Sequence, residues 1–183
     1  ALPTCPATCT NNPCLSQIMA MTHFVIQRAT PADDAVLTEI TKRAKARWKY
    51  SGEQLLEWAE ALTVSKAYIA QHPTYKLLAQ GGLPVGYYSY YPLSARVVKL
   101  DNLFLLPDYI GQGHGRRLLA DFFDKIQPTA AEKVVLDADP HAEPFYRHFG
   151  FRTVGRLEST TNDRFLPIME KVLREGPGLT MAV

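Results

Sequence analysis

An α/β chain with a largely antiparallel sheet is what three stretches of this sequence predict. In residues 100–119, LDNLFLLPDYIGQGHGRRLL, an apolar run passes through a polar turn into Gly111, Gly113 and Gly115, and Arg116 and Arg117 then open an amphipathic pattern. That order reads as a strand, a glycine turn and a helix N-terminus. Residues 76–80, 85–91 and 97–106 are strand-like runs separated by Gly81-Gly82-Leu83-Pro84 and by a break at Pro92, which implies an antiparallel meander. Leu119, Phe122, Phe123 and Ile126 recur at helical spacing before a short buried strand, Val134-Val135-Leu136.

The remaining elements follow from local signals. Residues 24–28 read as a first strand. Thr30-Pro31-Ala32-Asp33 starts a helix, with Thr as cap, Pro in the first turn and acids at the positive end. That helix turns Val36, Leu37, Ile40 and Ala44 inward and ends in Lys42, Arg43, Lys45, Arg47 and Lys49, a basic end that suits the macrodipole and reads as a solvated face ahead of a patch for an acidic substrate. Ser51-Gly52-Glu53-Gln54 is a capping-box start for a second helix carrying Leu55, Leu56, Ala59 and Leu62 on one side. A short helix over 142–148 and strands over 151–157 and 165–172 complete the chain before a tail containing Gly and Pro.

Composition bounds the function. A chain of 183 residues with 46% hydrophobic and 21% charged residues suits one soluble domain, and a net charge of +2 is too small to argue for nucleic acid. No apolar run approaches the roughly 18 residues of a membrane span, so the expectation is a cytoplasmic protein without a membrane partner. Cys5, Cys9 and Cys14 all fall in an uncharged stretch rich in Pro, Thr and Asn that lacks a signal-peptide pattern. The expected organisation is a leader or upstream sequence over 1–20, a domain over 21–174 and a tail over 175–183. The cysteines have no fourth zinc ligand beside them, and His141 and His148, seven apart, have no third, so no metal is expected.

The glycine turn is an anion cradle. Glycine admits positive φ and close backbone approach, so several N–H groups can converge on one phosphate, aided by the helix N-terminus and by Arg116 and Arg117. Neither standard nucleotide spacing is met. The sixth position counted from Gly111 is Arg116 and from Gly113 is Leu118, which fails G-x-G-x-x-G, and no Gly-Lys-Ser/Thr follows.

The segment Ile110-Gly111-Gln112-Gly113-His114-Gly115 resembles motif A of the GNAT superfamily of acyl-CoA N-acyltransferases, Arg/Gln-x-x-Gly-x-Gly/Ala after a strand. Leu103-Phe104-Leu105-Leu106-Pro107 ahead of it fits the same family, and Phe145-Tyr146-Arg147-His148-Phe149-Gly150-Phe151 is similar to its F-Y-x-x-x-G-F word. Ile110 departs from the pattern, because an Arg or Gln there would help hold a pyrophosphate; Gln112, Arg116 and Arg117 are the residues able to compensate. The resemblance implies a GNAT fold over 21–174, with a mixed, mostly antiparallel sheet of about six or seven strands and about four helices, splayed between the fourth and fifth strands. It implies acetyl-CoA as acyl donor. Its pantetheine arm would lie along Leu103, Phe104 and Leu105 as an added strand, with its pyrophosphate on Gly111, Gln112, Gly113, His114, Gly115 and Arg116. Dimers are frequent in the family, so a homodimer is one expectation.

Acetyl transfer to an amine needs a neutral amine, stabilisation of the oxyanion and a proton for the leaving thiolate. The resemblance makes Tyr146 the general acid. Asp101, at the start of the strand before the turn, is the candidate base; by strand alternation it shares a face with Leu103 and Leu105, opposite Asn102 and Phe104. His141, just ahead of the short helix, is a candidate relay, a pantetheine contact or a cap. His114 is expected to line the phosphate site or face solvent. The resemblance makes Trp48 and Tyr50, between the first two helices, candidate substrate contacts; by themselves two such aromatics equally suit covering the core. The expected reaction is N-acetylation by direct attack, of a small-molecule amine rather than a protein, with Arg156, Glu158 and Asp163 near the acceptor loop. The alternative is an acyl-CoA-binding module without catalysis.

Overall fold

The structure, a computed structural model, describes residues 24–47, 59–158 and 165–173. Seven strands form one sheet: β1 (Val25–Arg28), β2 (Thr74–Leu78), β3 (Pro84–Pro92), β4 (Val97–Leu105), β5 (Lys133–Asp137), β6 (Arg152–Glu158) and β7 (Phe165–Val172), in the order β1-β2-β3-β4-β5-β7-β6. Four α-helices accompany them among the described residues: α1 (Asp34–Ala46), α2 (Lys66–Gln71), α3 (His114–Ile126) and α4 (Glu143–His148).

β1 to β4 pair antiparallel throughout; the β2–β3–β4 meander is the one the turn chemistry predicts, with Gly81 and Gly82 both at φ +79° where the β2–β3 connection reverses. β3 and β4 are covered on both sides. Tyr87 turns to α1, where its hydroxyl meets Thr41 Oγ1 at 2.6 Å. Tyr88 and Tyr90 turn to α3 and pack on Phe122, with ring centroids 6.0 and 5.3 Å away. Leu37, Ile40 and Ala44 of α1 and Leu118, Leu119, Phe122 and Ile126 of α3 are the buried stripes that hydrophobic spacing marks out.

Two features position the site. β4 and β5 are the parallel pair, and their ladder holds only from Val97–Lys99 against Lys133–Val135. Beyond it the strands diverge, so the edge of β4 that faced β5 has no strand partner from residue 100 on. The second feature is a bulge: Ser89 of β3 pairs with Asn102 while Tyr90 pairs with Leu100, leaving Asp101 as the extra residue.

The bulge corrects one expectation. Strict alternation puts Asp101 with Leu103 and Leu105, but the extra residue breaks the period, and Asp101 and Asn102 both reach the hydroxyl of Tyr68 on the same side. Helix α2 is a second difference. Its six residues bury only Ile69, so no apolar period announces it; the Ser65 side chain caps it by accepting from the Tyr68 N–H at 3.1 Å. Most of the second helix expected from Ser51, along with Trp48, Tyr50 and the leader, lies outside the described residues; its expected end, Ala59 to Leu62, is turn.

Candidate active site

The turn after β4 is built as its glycines require. Gly111 and Gly113 sit at φ +83° and +85°, and a Cβ on either would meet nothing within 4 Å, so both face open space. Gly113 caps α3, whose first ladder bond runs from the Arg117 N–H to the Gly113 carbonyl at 3.1 Å. The earlier N–H groups of that turn have no acceptor within the helix. Gly115 is small for another reason: a Cβ would stand 3.3 Å from the Phe145 ring, where α3 and α4 come close.

A cavity of about 470 Å³ opens in front of this turn and runs into the gap between β4 and β5. Leu103, Phe104, Leu105, Gly111, Gly113, Gly115, Arg116, Asp101, His141 and Tyr146 all line it, so the structure gathers most of the sequence-derived candidates at one place. Ile110 lines it as well.

Three expectations about the cradle are corrected. The His114 imidazole neither lines the cavity nor faces solvent. It is buried against Phe24, ring centroids 4.0 Å apart, and against Tyr109 at 5.9 Å. Burial, and then the Arg117 charge, push its pKa below the ordinary value, so it is a neutral core group. Gln112 is turned back, its Nε2 donating to the Asp108 carbonyl at 2.6 Å. Arg117 reaches the Phe24 carbonyl at 2.5 Å. Of the three residues able to compensate for Ile110, Arg116 is the one whose side chain lines the cavity.

Tyr146 is buried between Phe145 and Phe151, at centroid distances of 5.1 and 5.7 Å. Its hydroxyl makes no hydrogen bond among the described residues. Burial, followed by the nearby Asp139 charge, pushes its pKa well above that of a free phenol, so it keeps its proton at neutral pH.

Two groups escaped the sequence reading. Lys45, taken as part of a solvated basic face, enters the cavity and pairs with Asp139 at 2.9 Å. Asp139 also accepts from the His141 N–H at 3.1 Å and meets His141 Nδ1 at 3.0 Å. Burial pushes the Asp139 carboxyl up, but the Lys45 ammonium and the His141 donors outweigh it and hold the group well below the usual carboxylate range. The Asp-Pro pair at 139–140 was a legible turn signal, and Asp139 rather than His141 is the residue whose side chain caps there. The other group is Tyr68, on the unannounced helix α2, which donates to Asp101 Oδ2 at 2.5 Å. No set of three or more His, Cys, Asp or Glu side chains suited to a metal occurs among the described residues. No helix there is long and apolar enough to cross a membrane.

The acetyltransferase (GNAT) domain profile matches residues 46–173. The chain belongs to the GNAT acetyltransferase family. This GNAT domain is therefore an acyltransferase, with the mixed sheet and β4–β5 splay that the motifs implied. Among solved structures it is similar to a GCN5-related N-acetyltransferase from Rhodopseudomonas palustris, at 26% identity and a TM-score of 0.69 over 85% of this chain and 99% of that one. It also resembles the PaiA N-acetyltransferase of Thermoplasma acidophilum in complex with coenzyme A, at 20% identity and a TM-score of 0.68 over 82% and 99%. YncA of Salmonella typhimurium, with its cofactor acetyl-CoA, aligns at 20% identity and a TM-score of 0.61 over 87% and 99%. No curated protein matches the chain.

Proposed function

We propose that this GNAT domain moves an acetyl group from acetyl-CoA to the primary amine of a small molecule by direct attack. The observation that carries the reading is the Tyr146 phenol, buried, protonated and without a hydrogen-bond partner among the described residues, at a cavity that joins the glycine cradle to the splay of β4 and β5. The open Cβ positions at Gly111 and Gly113 and the free N–H groups of α3 fit a pyrophosphate, and Arg116 adds a full charge in place of the contact Ile110 lacks. The unpaired edge of β4 at Leu103–Leu105 fits the amides of a pantetheine arm as an added strand would.

Acetyl-CoA, when bound, supplies the activated acetyl thioester. Tyr146 gives its proton to the sulfur as the carbon–sulfur bond breaks, and burial keeps that proton available until then. Asp101 takes the proton that the attacking amine must lose. In this reading the cavity of about 470 Å³ receives the pantetheine and acetyl end of the donor, with Asp101 on its lining where the acceptor amine must approach.

Calorimetric titration of acetyl-CoA into the native protein and into Gly113→Glu tests the donor site, and thiol release across a panel of amines tests the reaction. The expected result is saturable binding that Gly113→Glu abolishes, together with amine-dependent thiol release. Absence of binding by the folded native protein refutes the reading, and binding without amine-dependent release would make the chain a CoA-binding module.

A further inference from the structure

We infer that Tyr68 is a positioning residue for Asp101, fixing one carboxylate oxygen so that the other is presented to the acceptor amine. The inference rests on the proposed role of Asp101 as base and adds a residue to it. The bulge in β4 is what brings the groups together. As the extra residue opposite Ser89, Asp101 leaves the face that alternation would give it and turns toward α2, where Tyr68 lies above the sheet.

The hydrogen-bond inventory fixes the direction of each proton. Tyr68 has one hydroxyl proton, and an ionised carboxylate can only accept, so the 2.5 Å contact is a donation from Tyr68 to Asp101 Oδ2. The 2.8 Å contact between Ser89 Oγ and the Tyr68 oxygen must then run from Ser89 to Tyr68. Asn102 Nδ2 closes the cluster, lying 2.8 Å from Ser89 Oγ, 3.0 Å from the Tyr68 oxygen and 3.1 Å from Asp101 Oδ2. Every proton flows toward one oxygen of Asp101.

The other oxygen, Oδ1, has no hydrogen-bond partner among the described residues, and Asp101 lines the cavity. Two further acids line it, and each has a cation: Asp137 is paired with Lys99 at 2.7 Å and Asp139 with Lys45 at 2.9 Å. Asp101 is the cavity carboxylate held by neutral donors alone. It is oriented without being neutralised, which is what a proton acceptor for an ammonium requires. Tyr68 does not itself exchange the proton. Burial, then the bond to Asp101, push its phenol far above the ordinary range, so it stays a donor.

Three variants test this in the full-length protein: Tyr68→Phe, Asp101→Asn and the double substitution. Tyr68→Phe is expected to lower kcat about 10-fold to 100-fold at saturating amine and acetyl-CoA, with acetyl-CoA affinity unchanged. Asp101→Asn is expected to lower kcat further, and adding Tyr68→Phe to it to cost less than twofold, because residues acting as a unit are not additive. A second readout is independent of turnover. NMR of tyrosine labelled at the phenolic carbon should show the Tyr68 resonance shifting at neutral pH in Asp101→Asn, where a charged acceptor is exchanged for a neutral one, and this measurement stands even if Tyr68→Phe fails to fold. Equal losses from Tyr68→Phe in the native and Asp101→Asn backgrounds, or an unmoved Tyr68 resonance, would overturn the inference while leaving Asp101 as base. Full turnover in Asp101→Asn would overturn the base assignment and the inference with it.

Discussion

Lys45→Met breaks the ion pair at the floor of the cavity while keeping most of the side-chain stem over Phe104, whose ring lies 5.8 Å from the ammonium. The lysine and Asp139 side chains are 17% and 10% exposed, so the substitution leaves a carboxylate in a poorly hydrated place. Removing one partner of a fully buried pair costs about 3–5 kcal/mol. The His141 N–H and ring still serve Asp139 here, and neither side chain is wholly dry, so about 2–3 kcal/mol is the expected loss. For a domain of this size that lowers Tm by roughly 4–12 °C. The pH dependence gives the sharper check. A carboxyl held below its unfolded value stabilises fully above that value, about 4, and the contribution is lost as pH falls through the lower folded value. Lys45→Met raises the folded value, so the gap between variant and native should be widest near neutrality and close on acidification below about pH 4. Thermal denaturation followed by circular dichroism at stepped pH measures it. A Tm loss under about 2 °C at neutral pH, or a gap that persists undiminished at about pH 3, would refute the reasoning.

Tyr146→Phe should lower kcat about 10²-fold to 10⁴-fold with acetyl-CoA affinity held, measured by thiol release and calorimetry; equal loss of both would give the phenol a binding role instead. Gly86→Ala should destabilise by about 1–3 kcal/mol, because its Cβ would stand 2.8 Å from the Phe104 carbonyl oxygen and 2.4 Å from a Leu105 methyl, and β3 and β4 must part to admit it; denaturant titration reads this. His114, buried with its pKa below the ordinary 6.5, withdraws stability as pH falls through that value, since the unfolded chain then binds a proton the folded chain refuses. His114→Gln should flatten the stability profile as pH falls below about 6.5, and an unchanged slope there would count against burial as the cause.

The strands were legible because strands and turns advertise themselves locally: the alternating apolar runs, Gly81-Gly82, and a glycine turn between strand and helix are each readable within a dozen residues. The glycines and Arg116 were legible as an anion cradle from one turn, whereas the splay and the role of Tyr146 came from the resemblance to GNAT motifs, since a Tyr among Phe residues is by itself an ordinary core aromatic. What escaped reading depends on chain segments distant in sequence. Nothing around Lys45 tells it from Lys42 or Arg43; what selects it is that the last turn of α1 stops beside Asp139, 94 residues away. Tyr68 belongs to a helix too short for a period. Asp101 was legible as an acid near the site and misjudged in direction, since a bulge is a property of two strands and strand alternation is a property of one. His114 was misjudged because the same word that makes it a neighbour of the phosphate turn also makes it the first residue of α3, rolled under against Phe24.

The position of β7 bears on how the molecule comes to exist. β5 holds β4 by three parallel pairs and β7 by five antiparallel ones, and β7 is the last strand among the described residues while sitting inside the sheet, with β6 outside it. During synthesis, β2 to β4 can zip successively as each hairpin leaves the ribosome. β5 and β6 cannot be joined until residues 165–172 emerge, some thirty residues after β5 is made. Until then β5 presents an unpaired edge, and the β5 wall of the cleft is held to the sheet only by its three pairs with β4. The late closure of a long-range ladder is the slow step that contact order anticipates, so a nascent chain stalled before β7 should carry a folded meander and an open, aggregation-prone flank.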